Sequence, residues 1–224
     1  MPLLSTMEGT LRFTDPLSTD WVTTMLLLVF ILLAYTNVAA PKKWRLLWGA
    51  IFTLRLGKQV MREDVDLQDR TLIGLVFAAL IVLALFAYQA VVLLGASATG
   101  LVVFGRTLGL VVLLLVAQVV LLWLVDVLFE VDGGTREYLY TVLLLTVTLG
   151  LLLLPVVALM AGQPDWRGVL LPVGGVLAAA YVLYRWFRGV VIGVGSGVPA
   201  RHVFIYLCTA EILPVALAIR SALH

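Results

Sequence analysis

Cysteine and histidine are scarce in this 224-residue sequence, which has one cysteine and two histidines. A single cysteine, Cys208, excludes an internal disulfide and a cysteine-based metal cluster. His202 and His224 stand at opposite ends of the last apolar segment, about 33 Å apart at the helical rise, so they cannot share a haem or a metal ion. The Walker, C-x-x-C, H-E-x-x-H and G-x-S-x-G patterns are also missing. We therefore expect no cofactor, no metal site and no enzymatic activity.

Charge is the next shortage, because only 12% of the residues are charged while 62% are hydrophobic. Ordinary soluble domains are about 25% charged and about 45–50% apolar. The mean hydropathy of +1.11 indicates that lipid is the solvent for most of the chain. The net charge of +2 is too small to favour a nucleic-acid partner. The composition therefore predicts a membrane protein.

Six segments are apolar over the roughly 20 residues that a helix needs to cross a bilayer core of about 30 Å. Three glycines and Arg106, within residues 95–106, predict a turn before the third segment. The sequence thus predicts an all-α polytopic bundle of about six transmembrane helices, a single domain over residues 21–224 that follows a short exterior segment, 1–20. The predicted spans are 21–39, 71–94, 107–129, 138–161, 167–188 and 202–220.

The lysines and arginines are unequally divided between the two sides of such a bundle. Both termini and the loops after spans two and four carry four of them, Arg12, Arg106, Arg167 and Arg220, whereas the remaining loops carry eleven. Cytoplasmic loops are the ones enriched in lysine and arginine. We expect both termini on the exterior side.

A basic segment at residues 42–62 follows the first span and is too charged to cross the membrane. Its tryptophans recur at helical spacing among cations, which predicts an amphipathic helix lying in the interface on anionic lipid. Docking of a partner protein or a specific lipid is the alternative interpretation. The residues of this predicted interface are Lys42, Lys43, Trp44, Arg45, Trp48, Arg55, Lys58 and Arg62.

Two pairs of charged residues lie near the cytoplasmic ends of predicted spans. Asp126 and Glu130 share one face of span three, and Arg185 and Arg188 share one face of span five. Charges within spans are costly and normally face a partner inside the bundle. We expect interhelical ion pairs that fix how spans three and five meet, with a transport or substrate-binding role as the alternative.

Glu211 is the ionisable residue whose place in the membrane is hardest to explain, since it stands about ten residues into the last predicted span. A short carboxylate cannot reach either surface from there, so it must be neutral or matched by donors within the bundle. Gln118 lies at similar depth in span three, and Tyr206 lies on the same helix as Glu211. Pro214 frees the carbonyl of residue 210, which a protonated Glu211 could satisfy. Two roles for Glu211 remain open. One is a structural role in which it makes this hydrogen bond, and the other is a proton relay.

The motif Y-L-C-T-A-E-I-L-P at residues 206–214 resembles domain-of-unknown-function family 4271, a group of bacterial multi-pass membrane proteins. The resemblance implies the inner membrane of Bacteroidota, with both termini periplasmic by the charge rule. It also singles out four positions as candidates for a functional site, Tyr206, Cys208, Glu211 and Pro214. The activity of such a family is itself undefined, so the resemblance implies location and architecture rather than chemistry.

Two functions fit these features. The first is a non-catalytic accessory, structural or assembly subunit of a larger membrane complex, in contact with other membrane proteins. The second is a small proton-coupled transporter or conduit that uses Glu211 and the kink at Pro214. Transporters often show broken helices in two matching halves. The prolines at 155, 172 and 214 all fall in spans four to six, an asymmetry that counts against the second function.

Overall fold

The computed structural model describes residues 15–39, 70–95, 99–129 and 134–195. Within these ranges the regular structure is entirely helical. The α-helices are α1 (Asp20–Ala39), α2 (Arg70–Leu93), α3 (Leu101–Phe129), α4 (Gly134–Gly162) and α5 (Arg167–Gly195). A short 3₁₀ turn, Pro164–Trp166, joins α4 to α5.

The five helices correspond to the first five predicted spans, and each is long and apolar enough to cross a membrane. This confirms the expectation of an all-helical, multi-pass architecture for the described part of the chain. The predicted sixth span, 202–220, and the predicted interfacial helix, 42–62, lie outside the described residues. The count of six therefore stays a prediction.

The start of α3 differs from the prediction, which placed it at residue 107 with Gly105 and Arg106 in a turn. The helix instead begins at Leu101, so Gly105 and Arg106 lie within it, and Gly95 and Gly100 precede it. These two glycines have φ angles of +98° and +106°. Such angles are costly for residues with a Cβ atom, so the chain reverses at the glycines that adopt them. Gly105 has no such angle and continues the helix.

Helices α2 and α4 form the centre of the bundle. Buried residues make up 56% of the apolar window of α2 and 61% of that of α4, against 6% for α3 and for α5. Helix α2 packs against α1, α3 and α4, while α5 packs chiefly on α4. Neither central helix needs a polar face, because its surface contacts either other helices or lipid.

The close approach of α2 and α4 depends on Gly150. A Cβ atom built at this glycine would lie 2.6 Å from the Cβ and 2.7 Å from the Cα of Ala79. Small residues at the crossing allow the two backbones to pack tightly, which is how helices associate in lipid. Beside this crossing lies a crevice between α1, α2 and α4 that is lined by apolar residues, among them Val29, Leu75 and Val147.

The glycines of α3 and α5 fall into two groups in the structure. Gly174 is buried, with Phe86 of α2 and Val156 of α4 within 3.2 Å of a Cβ atom built there, so it serves a helix contact. A Cβ atom built at Gly105, Gly109 or Gly175 would meet no described atom within 4 Å. These three glycines face away from the described bundle.

We predict that Gly150→Ala destabilises the protein. The added methyl group meets backbone atoms of Ala79, and overpacking of this kind costs about 1–3 kcal/mol. Thermal unfolding of the detergent-solubilised protein measures the effect. The matched control is Gly109→Ala, where no atom opposes the methyl group and helix propensity favours alanine by about 1 kcal/mol. Equal melting temperatures for the two variants would contradict the proposed crossing.

Candidate functional site: a polar and aromatic cap

The last carbonyls of α4 need hydrogen-bond donors from elsewhere, since a helix cannot satisfy its own final turn. The carbonyl of Leu159 accepts the backbone N–H of Gln163 at 2.8 Å. The carbonyl of Met160 accepts the Nε–H of Arg167 at 2.7 Å. The carbonyl of Ala161 lies 2.7 Å from the hydroxyl of Ser18, which precedes α1. Donors from two neighbouring segments thus complete the end of α4.

Asp15 completes this network. Its carboxylate accepts a hydrogen bond from Nη2 of Arg167 at 2.5 Å and one from the backbone N–H of Leu17 at 3.2 Å. The Ser18 hydroxyl lies 3.0 Å from the same carboxylate, and its one proton can serve either Asp15 or Ala161 at a time. Arg167 also donates to the Ser18 oxygen at 3.1 Å. The segment before α1 is therefore tied to both α4 and α5.

The charge state of Asp15 follows from its surroundings. The hydrogen bond from Arg167 lowers the pKa of the carboxyl below its ordinary value of 3.8, with smaller contributions from Leu17 and Ser18, and partial burial opposes the shift. Asp15 is therefore ionised at neutral pH. The guanidinium of Arg167, the first residue of α5, reaches the last carbonyls of α4 and complements the negative end of that helix dipole. This ion pair suits a structural role that holds the segment before α1 to α5. An ionised carboxylate has no proton to donate as a general acid.

An aromatic cluster lies beside the polar network. The ring of Trp21 is 5.1 Å from that of Tyr88 and 5.2 Å from that of Phe104, measured between centroids. The hydroxyl of Tyr88 donates to the carbonyl of Pro16 at 3.3 Å and accepts the N–H of Gly100 at 3.1 Å. The cluster therefore joins α1, α2, α3 and the turn that precedes α3. We call the network and the cluster together the cap.

Gln89 extends the polar contacts into the bundle. Its side chain is 0% exposed, and its amide N–H donates to the carbonyl of Val157 on α4 at 3.2 Å. Its amide oxygen is buried without a hydrogen-bond partner among the described residues. An amide in the membrane interior is stabilised by such an interhelical bond, which links α2 to the same end of α4 as the cap.

The other end of the bundle holds the predicted cationic pair. The hydroxyl of Tyr181 donates to the carbonyl of Leu145 at 2.7 Å, which fixes α5 against α4. Two turns further along α5, the side chain of Arg188 is only 1% exposed. Arg185 is half-buried on the same helix. Burial of this degree is typical of an arginine that faces the bundle interior.

Most of the predicted site residues lie outside the described part of the chain. These are Tyr206, Cys208, Glu211, Pro214, Glu130 and the whole basic segment 42–62. Asp126 lies on α3, and Gln118 is half-buried on the same helix. The ion pairs expected between spans three and five stay a prediction.

The cap is a feature that the sequence analysis missed. In the sequence, Arg167 stands out only as one of four exterior basic residues, and Asp15 falls within the segment before the first span. The D-P-x-S sequence at residues 15–18 was the available signal, because such residues favour turns in which the carboxylate accepts a backbone N–H. No group of three metal-ligating side chains occurs within the described ranges.

The family model described as Domain of unknown function (DUF4271) matches residues 22–221. The chain belongs to this family. The match includes most of α1 and all of the other four helices described above, so the family is defined over the bundle itself. No curated protein and no solved structure matches the chain.

We predict that Arg167→Leu destabilises the protein by about 1–3 kcal/mol, because it removes a donor to a helix carbonyl and leaves Asp15 without its cation. Asp165→Asn, at an exposed carboxylate of the α4–α5 turn, is the matched control and should leave the melting temperature unchanged. Equal losses of stability in the two variants would contradict a structural role for the Arg167–Asp15 ion pair.

The same ion pair predicts a pH dependence. Because the folded-state pKa of Asp15 lies below 3.8, the pair contributes stability above that pH and loses it as the pH falls through the lowered value. The melting temperature should therefore drop less between pH 5 and pH 3 in Asp15→Asn than in the unmodified protein. Identical pH profiles for the two proteins would exclude a contribution from Asp15.

Proposed function

We propose that this protein is a non-catalytic accessory, structural or assembly subunit of a larger complex in the bacterial inner membrane. The observation that carries this proposal is the outer face of α3, which the described bundle leaves uncovered. The face consists of Val102, Gly105, Gly109, Leu113, Val116, Val120 and Trp123. Its exposed side chains include Val102 at 72%, Leu113 at 66% and Trp123 at 63%.

Exposure of apolar side chains costs little in lipid, so exposure by itself does not indicate a partner. The two glycines are the informative residues. A glycine within a helix is less favourable than alanine by about 1 kcal/mol, and Gly105 and Gly109 make no close contact with described residues in return. Paired glycines four residues apart permit close approach of another helix in a membrane.

The residues around the glycines also suit a helix–helix contact. Val102, Val116 and Val120 are β-branched and have few side-chain rotamers in a helix, so little conformational entropy is lost when a neighbour packs on them. We infer that the outer face of α3 binds a membrane-spanning helix of a partner protein. The basic segment 42–62 adds attachment to anionic lipid in this proposal.

The interior of the described bundle supports a structural function over a catalytic one. The crevice between α1, α2 and α4 is lined by apolar side chains and Gly150, so it provides no polar side chain to orient a substrate. The polar contacts of the cap are made to backbone carbonyls and to one another. They stabilise the arrangement of helices.

Purification of the tagged protein from its native membrane in mild detergent, with stoichiometric mass spectrometry, tests the proposal. We expect a set of membrane proteins in constant ratio to the tagged chain. Gly109→Leu should reduce their recovery at least tenfold while the variant itself accumulates normally, because no described atom opposes the new side chain. Gly109→Ala should give a smaller loss than Gly109→Leu, because alanine is small enough to permit a close, though less close, approach of the partner helix. A protein that emerges alone would contradict a stable complex.

The alternative function is a proton-coupled transporter or conduit that depends on Glu211. Its motivation is a carboxylate near the middle of a predicted span beside a proline. If Glu211 carries protons, Glu211→Gln should abolish function at unchanged protein abundance. If Glu211 is structural, Gln should be tolerated, because it still donates a hydrogen bond, and Glu211→Leu should reduce accumulation. Abundance in membranes and growth of the native host distinguish the two outcomes.

A further inference from the structure

We propose that the outer face of α5 is the docking surface for the predicted sixth span, residues 202–220 of the same chain. The outer face of α5 consists of Gly168, Pro172, Gly175, Ala179 and Leu183, all of which are exposed in the described bundle. This inference does not depend on the partner protein proposed above. It rests on the connectivity of the chain and on the positions of α3 and α5.

The connector between the two helices limits where the sixth span can lie. Helix α5 ends at Gly195, and the predicted span begins at His202. The intervening backbone reaches at most about 25 Å when fully extended. Packed helix axes are about 8–10 Å apart. The sixth span must therefore lie beside α5 or one helix further away.

Helices α3 and α5 lie on opposite sides of α2, so the sixth span cannot easily reach the outer face of α3. On α2, Phe86 faces Gly174 of α5. Two other residues of α2 face α3. They are Tyr88 and Ala84, and the carbonyl of Ala84 lies 3.5 Å from the Thr107 hydroxyl. Successive helical positions are about 100° apart, so residues 84 and 88 are both about 160° away from residue 86. A helix on the outer face of α3 would be three helix spacings from α5, beyond the easy reach of the connector.

The outer face of α5 has the small residues that close packing of the sixth span requires. The inner side of α5 is occupied by α4, through Tyr181 and Leu145, and by the contacts of Gly174. A Cβ atom built at Gly168 or Gly175 would meet no described atom within 4 Å. The predicted span carries its own small residues, Cys208, Thr209 and Ala210, near its middle. Small residues on both helices permit close backbone approach in lipid.

The antiparallel pairing of α5 and the sixth span sets an approximate level for each residue. If the ends of the two predicted spans coincide, Cys208 lies level with Ala179 within about one helical turn. Cys208 is the one cysteine of the chain, so a single introduced cysteine yields one possible intramolecular disulfide. Disulfide formation needs Cα atoms within about 7 Å, which tightly packed helices provide.

The experiment introduces Ala179→Cys into the full chain and oxidises native membranes with copper phenanthroline. Mass spectrometry of the digested protein then detects the peptide pair joined through Cys208, and reduction must abolish it. We expect the disulfide in at least half of the Ala179→Cys chains. Leu113→Cys on α3 is the matched control, because Leu113 is 66% exposed and lies as far from the start of α3 as Ala179 does from the start of α5. We expect less than one tenth of that yield there.

Three results would overturn the proposal. A higher yield with Leu113→Cys would place the sixth span at α3. A higher yield with Leu152→Cys, on the exposed strip of α4, would place it against α4 instead. A disulfide that joins two chains would assign the outer face of α5 to a second copy. Gly175→Cys, one turn towards the start of α5, is a second probe and should give an intermediate yield if the register is correct.

Discussion

The end of α4 is the constraint on which the arrangement of the described helices depends. A helix cannot satisfy its own final carbonyls, so their donors must come from other segments. Arg167 and Ser18 supply side-chain donors to Met160 and Ala161, and Gln89 adds one to Val157. These three residues come from α5, from the segment before α1 and from α2. Satisfying this helix terminus therefore positions α5 and the segment before α1, and the Gln89 bond one turn earlier links α2 to the same end of α4.

The core follows from this arrangement. With α4 held at its end, Gly150 allows α2 to approach so closely that Ala79 lies against the α4 backbone. Helices α1, α3 and α5 then pack around the central pair, and the aromatic cluster of Trp21, Tyr88 and Phe104 joins α1 and α3 to α2. The outward faces of α3 and α5 remain uncovered in the described bundle. Both contain glycines that are costly in a helix and make no close contact there, and so both are proposed here as contact surfaces.

The proposals assign different neighbours to these two faces for a physical reason. The outer face of α5 lies within the reach of the connector to the predicted sixth span, whereas the outer face of α3 lies on the far side of α2. Helix α3 is therefore left for a partner protein. Under these proposals the cap stabilises the fold, and the uncovered helix α3 carries the interaction that defines the function.

Hydropathy alone predicted five of the helices, because each needs about 20 apolar residues whatever its neighbours are. It placed the start of α3 wrongly, since three glycines in residues 95–106 look alike in a sequence and only Gly95 and Gly100 adopt positive φ angles. The D-P-x-S sequence at Asp15 indicates a turn, but it does not indicate the ion pair that Asp15 makes. A carboxylate that caps its own turn forms a local pattern, whereas its arginine partner stands 152 residues away.

The sequence by itself determined that the chain is an all-helical membrane protein, because lipid rewards long apolar segments without reference to how they pack. Only the tertiary structure decided that Gly174 and Gly150 serve contacts within the chain while Gly105, Gly109 and Gly175 face outward. The physical reason is that a glycine's role depends on which helix lies opposite, and the packing of segments that are distant in sequence decides that.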